Sequence, residues 1–417
     1  MFELIQFPSL IEGNNQELRE VATDLLHGLK LYEKRRAYVL GNLALTEGVA
    51  PHKNINAAPG ELEYQLLMKA ALLLASEKAG NKRLAITTGF SSSTYPVYRD
   101  QAVEVMQKEH IIEFDSATFS SGNRRNSPVS AEQVWVMPEI QGCVLGLRQG
   151  ETKAKGSFFV VSLGFGTCEA IMSTESGTVQ RTAVSANGLR YAVNLLMNEL
   201  GKQYYLELQN EHQIDQAFQK GFLFSNRKRV DLKEARERAL QAYYQDVLSP
   251  ALRRAFQDSD FQRADRLYLV GGGANYSDLV ALFQQEFKDI VDIIVPTEPQ
   301  AMAVTGYALN SQQHASAPGI TPVGLDLGNA TTLLALARAS KTNKAVDESQ
   351  AAQQNGQAPA EPAKPKSSAA PKAPPVNLVD ESLLEPMNGH ATAKPDVPAT
   401  PPVRRDRLGK FLQTGMW

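Results

Sequence analysis

A carboxylate, a turn and a hydroxyl follow one another near the end of the chain, in a pattern that suits a metal-bound phosphate. An apolar run beginning at 322 reaches Asp326 and then turns through Gly328 and Asn329. A second apolar run leaves the turn from Thr331. Mg²⁺ prefers oxygen ligands and keeps several waters, so Asp326 can hold a metal-bound water. Because Gly328 and Asn329 tolerate positive φ, we expect successive N–H groups of a hairpin tip to point at a phosphate.

Two more glycine motifs share this character. The stretch 158–172 has the same apolar–turn–apolar pattern, with the turn at 164–167, and a third motif places three glycines after Val270. A Rossmann fingerprint requires a third glycine and a following helix. The segment after Gly164 lacks that glycine and continues as a strand, so this alternative fails. Ordinary hairpin turns remain the alternative for each motif taken singly, and three together favour a phosphate site.

The elements that must position these motifs are indicated by hydrophobic periodicity. Helical spacing of apolar residues predicts helices over 61–78, 189–208 and 231–255. A strand is predicted over 134–139, where an apolar run is stopped by proline. The segment 115–130 is rich in Ser, Asn and Arg, which predicts an exposed connection.

Composition narrows the class of protein. The 417 residues predict two or three domains, and the net charge of −2 gives no reason to expect direct nucleic-acid binding. The two cysteines, Cys143 and Cys168, have no ligand-like spacing and suit a reducing cytoplasm. The beginning of the chain lacks the pattern of a signal peptide, and no run approaches the roughly 18 apolar residues of a membrane span. These features predict a cytoplasmic protein.

The C-terminal part of the chain changes in character. Residues 339–405 are dominated by Ala, Pro, Gln, Ser and Lys, which predicts a disordered linker. The last segment, 406–417, turns apolar and basic, with Leu408, Phe411 and Leu412 at helical spacing. It predicts a short docking motif for a membrane surface. A peptide recognised by a partner protein and an inert end are the alternatives.

The three glycine motifs together resemble the nucleotide site of the actin, sugar-kinase and chaperone-ATPase superfamily. Residues 1–310 resemble a ParM-type (StbA-type) bacterial actin that lacks its first phosphate hairpin, and residues 322–338 resemble that hairpin. The resemblance implies a circular permutant in which 311–321 joins the family's original termini.

This resemblance implies an α/β, actin-like two-domain fold with a disordered C-terminal tail. Domain I would comprise 1–156 and 299–338, and domain II would comprise 157–298. The implied cofactors are ATP and Mg²⁺, with Asp326 positioning the metal through water. In the same way, Glu139 corresponds to the carboxylate that orients the attacking water, and neighbouring Gln141 is the alternative.

The candidate cofactor-binding residues come from the three motifs and their surroundings: Asp326, Gly328, Asn329, Thr331, Ser162, Gly164, Phe165, Gly166, Thr167, Gly188, Gly271, Gly272 and Gly273. The three last glycines would let adenosine lie against bare backbone. Lys228, Lys233 and Glu234 are weaker candidates for an adenine rim, and a solvated helix face explains them better. Ser162 departs from the family, which carries aspartate there, so fast hydrolysis is in doubt while binding should survive.

The function that the resemblance implies is an ATP-dependent, self-assembling filament protein with slow ATPase activity. Plasmid segregation or a related role in cell shape would follow, with a small adaptor protein as partner and only indirect contact with DNA. A nucleotide-bound scaffold that polymerises little is the alternative that Ser162 favours. A small-molecule kinase of the same superfamily is less well supported, because no sugar-binding Asp or Asn constellation is visible.

Overall fold

The three glycine motifs lie at the ends of strands in two mixed sheets. The computed structural model describes residues 2–53, 58–80, 83–204, 211–225 and 227–337. The predictions for 339–405 and 406–417 concern segments outside these residues. No helix among the described residues is both long and apolar enough to span a membrane.

The strands, in chain order, are β1 Phe2–Pro8, β2 Leu10–Gly13, β3 Lys30–Glu33, β4 Arg36–Leu40, β5 His52–Lys53, β6 Arg83–Phe90, β7 Glu109–Asp115, β8 Arg124–Pro138, β9 Phe158–Leu163, β10 Thr167–Thr174, β11 Gly177–Asn187, β12 Phe222–Ser225, β13 Lys228–Asp231, β14 Arg266–Val270, β15 Asp292–Ile294, β16 Thr321–Leu327 and β17 Thr331–Ala337.

The helices are α1 Gly41–Glu47, α2 Leu62–Ala79, α3 Tyr95–Met106, α4 Glu139–Gln149, α5 Arg190–Tyr204, α6 Glu211–Lys220, α7 Lys233–Tyr243, α8 Ser249–Ala255, α9 Asp258–Phe261, α10 Ser277–Glu286 and α11 Met302–His314.

Two sheets share one arrangement of five strands. The ten-stranded sheet has the order β1-β17-β16-β6-β8-β7-β3-β4-β2-β5, and the five-stranded sheet has the order β11-β10-β9-β14-β15. In each, three antiparallel strands are followed by two strands parallel to the third: β6 and β8 run parallel to β16, and β14 and β15 run parallel to β9. The remaining strands of the ten-stranded sheet extend its far edge, and β12 and β13 form a separate hairpin.

Apolar composition explains why these strands lie in the interior. All six residues of β9 are buried, as expected for a central strand covered on both faces. Helix α2 was predicted to bury one face, but Leu72 and Leu73 are buried as well as that face. A helix that is apolar on most sides is a core helix, so α2 lies within the core of the ten-stranded sheet.

Helices α4 and α11 pass between the two sheets and pack against each other at unusually short range. A Cβ added to Gly306 would lie 1.9 Å from the carbonyl oxygen of Gly142, and one added to Gly146 would lie 2.3 Å from that of Met302. Side chains at these positions would push the helices apart. The same core contains residues of both sheets, including Val160 and Leu333, so the helix pair fixes the distance between the two sheets.

Several predicted elements differ from the structure. The prediction of an exposed connection over 115–130 is wrong from Arg124 onwards. Strand β8 runs from Arg124 to Pro138, pairing first with β7 and then with β6. Pairing with β7 along Arg124–Ser130 outweighs the polar composition of the segment. The strand predicted over 134–139 is therefore the end of a longer one, and Glu139 begins α4.

The helix predicted over 231–255 is divided into α7, a wider π-helical turn at Tyr244–Leu248, and α8. Pro250 has no N–H for a regular helical bond, and the wide turn lies just before it. The helix predicted over 189–208 corresponds to α5, which the structure describes as far as Tyr204. The next residues lie outside the described ranges. The joining segment is shorter than 311–321, because α11 continues to His314.

Candidate functional site

A cleft of about 550 Å³ lies where the three glycine motifs meet. It is lined by the β16–β17 turn, the β9–β10 turn and the glycines after β14. Every predicted site residue lines it except Gln141 and Gly188. The volume is that of an ordinary small-molecule site. Glu139 and Thr331, for example, line the same cleft although they are 192 positions apart (331 − 139). The binding role of the predicted residues stays a prediction.

The two hairpin turns have matching backbones. A Cβ added to Gly164 would lie 2.7 Å from the carbonyl oxygen of Thr167, and one added to Gly328 would lie 2.8 Å from that of Thr331. Neither Gly328 nor Asn329 has positive φ, so the turn does not use the left-handed conformation that both residues tolerate. The direction of its N–H groups stays a prediction. Glycine is required here because each turn closes tightly on itself, which leaves its backbone bare towards the cleft.

The tips of the two turns lie against each other. A Cβ added to Gly166 would lie 2.6 Å from Asn329 Oδ1. An anionic group in the cleft can therefore be contacted by backbone from both turns at once. Such concave arrangements of N–H groups bind anions.

The third glycine motif packs on the end of β9. Gly271 has φ +82°, and its Cβ would lie 2.7 Å from the carbonyl oxygen of Leu163. Gly273 is equally restricted, with a Cβ position 2.6 Å from Leu163 Cβ, whereas Gly272 has open space beside it. The first and third glycines thus allow the close approach to β9, and Gly272 leaves bare backbone on the cleft wall.

Searches for related proteins gave matches in structure only. No family model and no curated protein matches the sequence. An archaeal actin homologue matches with 16% identity and a TM-score of 0.57, and a non-polymerisable quadruple mutant of pCBH ParM matches with 17% identity and a TM-score of 0.59. A ParM of Clostridium botulinum, solved in a filament, matches with 14% identity and a TM-score of 0.54. Each match covers 74% of this chain and 92% of the other.

The fold is actin-like. The predicted α/β fold class is confirmed by these matches together with the two sheets described above. At these identities the likeness concerns the fold. The chemistry of the cleft must therefore be argued from the residues of this chain.

Asp326 and Glu139 place two carboxylates at the cleft. Burial raises the pKa of Asp326 to about 6. Burial, and next the charges of Asp326 and Glu169, raise the pKa of Glu139 to about 8, and a hydrogen bond from Ser162 opposes the shift. Ser162 Oγ donates to Glu139 Oε1 at 3.1 Å. The raised pKa favours the protonated form of Glu139, and a nearby cation would favour release of that proton.

Glu169 is a functional candidate that sequence reasoning missed. It lies on β10 directly across from Ser162 on β9, and both side chains are buried. Opposite residues of an antiparallel pair share one face of the sheet. Glu169 Oε1 accepts the backbone N–H of Ser92, from the loop after β6, at 2.5 Å. A single acid within a buried strand was the available signal, and it becomes informative only once the register of the hairpin is known.

Two predicted residues lie away from the cleft lining. Gln141 Nε2 donates to Thr178 Oγ1 at 3.1 Å, on the other side of α4's first turn. Gly188 supports the second turn from behind: its N–H donates to the carbonyl oxygen of Gly166 at 3.1 Å. A Cβ at Gly188 would lie 2.5 Å from the carbonyl oxygen of Phe165, so this glycine permits the turn to seat.

Another part of the cleft wall is formed by residues that were not predicted. Asp215 and Gln219 of α6, Arg236 of α7 and Tyr276 before α10 line it. Gln219 Nε2 donates to Asp215 Oδ2 at 3.0 Å, and the Arg236 guanidinium lies 3.6 Å from an oxygen of Asp278. The suggested rim residues Lys228, Lys233 and Glu234 are exposed and do not line the cleft. Helical periodicity did not distinguish the cleft-facing polar residues from solvated ones.

The N-terminal segment secures the β16–β17 turn. Ser9 Oγ donates to the carbonyl oxygen of Gly328 at 2.6 Å and lies 2.9 Å from Thr332 Oγ1. The Ser9 N–H donates to the carbonyl oxygen of Ala330 at 3.0 Å. A buried hydroxyl thus fixes the turn from behind, where no sequence motif pointed to it.

The residues present fit a nucleotide with Mg²⁺. Glycines stand where a Cβ would close the turns, and Asp326 offers a carboxylate at the cleft beside the Thr331 hydroxyl. Within the described ranges, no group of three or more His, Cys, Asp or Glu residues is placed to hold a metal by itself. Mg²⁺ is commonly bound by one or two carboxylates together with waters and phosphates, which a single cleft carboxylate satisfies.

Proposed function

We propose that this chain is an ATP-binding, self-assembling actin-like protein of the ParM type, with slow ATP hydrolysis. The observation that carries the proposal is the contact between the two matching turns, Gly164–Thr167 and Gly328–Thr331, at the floor of one cleft. Solved structures with a similar fold include a ParM filament and an archaeal actin homologue in complex with ADP.

In this proposal, each part of the cleft has one task. The N–H groups of the two turns hold phosphates, and the bare backbone of Gly271–Gly273 faces the adenosine. Asp215 lines the cleft, and its buried Oδ1 has no hydrogen-bond partner among the described residues, so the ribose is assigned to this part of the wall. A bound Mg²⁺ would supply charge neutralisation at the phosphates, with Asp326 accepting hydrogen bonds from its waters.

Glu139 orients the attacking water in the proposed reaction, and Ser162 holds its Oε1. Because its raised pKa favours the protonated form, Glu139 is ready to accept a proton only when a nearby cation lowers that pKa. Ser162 offers no charge of its own at the place where the family has aspartate. Both features favour slow hydrolysis.

We also propose that the chain is a circular permutant. Its support is that β1-β17-β16-β6-β8 repeats the order of β11-β10-β9-β14-β15, although only the second set of three antiparallel strands is continuous in sequence. Phe2 pairs with Ala337 at the open end of β1 and β17, so a two-residue turn would join them. A rearranged chain with 319–337 placed before Phe2 through such a turn should fold and bind ATP as the natural chain does.

The test of assembly is pelleting and negative-stain microscopy with ATP, ADP and a non-hydrolysable ATP analogue. Filaments with ATP and the analogue, and fewer with ADP, are expected. If neither pelleting nor filament formation depends on nucleotide, at concentrations where nucleotide binding is saturated, self-assembly is contradicted. That outcome would support the second candidate, a nucleotide-bound scaffold, which Ser162 favours because it removes a charge from the site.

The proposed setting is cytoplasmic. The partners are further copies of the chain and a small adaptor protein, through which DNA is reached indirectly, because a net charge of −2 gives little attraction for phosphate backbones. Segment 406–417 would dock on a membrane surface or partner protein. A chain ending at residue 339 should still bind ATP and assemble, and it should lose any association of filaments with anionic liposomes.

A further inference from the structure

Lys53 links the two halves of the molecule, one built around the ten-stranded sheet and the other around the five-stranded sheet. It lies on β5, the edge strand of the ten-stranded sheet, where it pairs with Leu10. Its side chain is only 2% exposed. The ammonium group donates to Asp215 on α6, a helix whose Ile214 and Phe218 belong to the core of the five-stranded sheet.

The same ammonium group also contacts the second turn. Lys53 Nζ lies 3.9 Å from the centre of the Phe165 ring. A cation over an aromatic face is attracted by it, more strongly when water is excluded. Lys53, Asp215 and Phe165, here called the Lys53 clamp, therefore connect the edge of one sheet with the turn and with the α6 part of the cleft wall. Both Asp215 and Phe165 line that cleft.

Stability alone does not explain such an arrangement. Burying an amine and a carboxylate is costly, and apolar residues of similar volume stabilise a core at least as well. Gln219 donates to the same carboxylate, and burial together with the Lys53 charge lowers the pKa of His212 to about 4. His212 is thus neutral at pH 7, which leaves the charge of Asp215 to Lys53. The pair exists only while β5 and α6 are together.

We propose that Lys53 is a positioning residue that couples closure of the two halves to nucleotide binding. It holds the backbone of the second turn at Phe165 and the Asp215 wall in the arrangement that the nucleotide requires. Loss of the Lys53 clamp lets α6 and the turn separate, and bound nucleotide then leaves faster. This inference rests on the proposed nucleotide site, whereas the clamp itself can be tested without nucleotide.

A matched control is present in the same sheet. Lys30 on β3 is also buried, at 3% exposure, and its ammonium group donates to the carbonyl oxygen of Gln16 at 2.6 Å and lies 3.9 Å from Asp115. All these partners belong to the half with the ten-stranded sheet, so Lys30→Met removes a buried charge of the same kind without touching the contact between the halves.

The experiment compares Lys53→Met and Lys30→Met with the wild-type full chain. Hydrogen exchange of the nucleotide-free proteins should show at least about tenfold faster exchange of α6 and the β9–β10 turn in Lys53→Met only. A fluorescent ATP analogue should dissociate about tenfold faster from Lys53→Met and at the wild-type rate from Lys30→Met. Lys53→Arg keeps the charge, so its hydrogen exchange and its nucleotide dissociation should both remain close to the wild-type rates.

Each outcome decides. Unchanged exchange in Lys53→Met, or equal acceleration in Lys30→Met, would overturn the clamp as a specific link. Faster exchange with unchanged dissociation would overturn its coupling to nucleotide. If the wild type binds no nucleotide, the proposed function fails, and the exchange data alone still decide whether the clamp holds the turn. Should Lys53→Met not fold, Asp215→Asn is expected to accelerate exchange in the same elements to a smaller extent.

Discussion

The β16–β17 hairpin and the β9–β10 hairpin have matching turns but place their carboxylates on opposite strands. Asp326 lies on the first strand of its hairpin, across from Leu333. In the other hairpin the first strand carries Ser162, and the acid is Glu169 on the second strand. The backbone is thus repeated while the charge has moved across one strand pair.

This displacement changes what each acid can reach. Asp326 lines the cleft, whereas Glu169 is buried, does not line it, and accepts the N–H of Ser92. Asp326 therefore lies where a ligand could reach it. Glu169 instead connects β10 with the loop after β6, which belong to different halves of the molecule. In the proposed site, the repeated turns determine where phosphates bind, and the strand position of the acid determines whether it lies near a metal.

The largest effect is expected on removing the polar side chain that each first strand carries, Asp326 in one hairpin and Ser162 in the other. Asp326→Ala should reduce Mg-ATP affinity at least about a hundredfold, which is the size expected on losing an acid that orders the waters of a metal. Ser162→Ala should stay within about threefold of wild type. Calorimetric titration measures both. Unchanged affinity in Asp326→Ala would make the permutation interpretation wrong.

The next comparison concerns the two candidates at the start of α4. Glu139→Ala should leave filament assembly intact and slow phosphate release about a hundredfold, the usual effect of losing a group that orients or deprotonates water. Gln141→Ala should behave as wild type, because Gln141 is engaged with Thr178 away from the cleft. A phosphate-release assay on preassembled filaments decides, and the reverse result would transfer the role to Gln141.

The acid-rich surroundings of Glu139 predict a pH-dependent stability. Its pKa of about 8 lies above the ordinary value, so the buried neutral form stabilises the fold fully below the unfolded pKa and this contribution is lost as pH rises through 8. Glu139→Gln removes that loss. The free energy of unfolding of the variant, relative to wild type, should rise by about 3 kcal/mol from pH 5.5 to pH 8.5, at about 1.4 kcal/mol per pH unit.

Denaturant unfolding of the nucleotide-free proteins at the two pH values measures this difference, with Gln141→Ala as the control whose difference from wild type should not depend on pH. A gap between Glu139→Gln and wild type that stays constant with pH would show that Glu139 is charged in the free cleft.

The smallest expected effect comes from copying one hairpin's charge pattern into the other. Ser162→Asp combined with Glu169→Leu reproduces the Asp326–Leu333 arrangement in the β9–β10 hairpin. Hydrolysis should rise several-fold if the missing first-strand acid limits it. Ser162→Asp alone crowds a third carboxylate beside Glu139 and Glu169, so its gain should be smaller. Equal rates in all three proteins would mean that the acid does not limit hydrolysis.

The sequence was most informative where local chemistry determines structure. Apolar runs that end in glycine turns predicted β9, β16 and their partners, because both period and turn chemistry are local properties. The residues that these runs deliver, from Gly164 to Thr167 and from Gly328 to Thr331, accordingly meet at the cleft.

The remainder depended on contacts between distant segments. Glu169 acquires meaning from its register with Ser162, and Lys53 from the approach of β5 to α6. Neither relation has a local signature. The polar N-terminal part of β8 is likewise a strand because β7 pairs with it from Arg124 to Ser130, while β6 pairs with the rest of β8. No propensity of its own residues shows this.

The most direct test of the central claim is a structure determined with Mg²⁺ and a non-hydrolysable ATP analogue. The account predicts phosphates between the turns at Gly164–Thr167 and Gly328–Thr331, with Asp326 beside the metal's waters and the adenosine along Gly271–Gly273. A nucleotide bound elsewhere, or phosphates contacted by only one of the two turns, would contradict it.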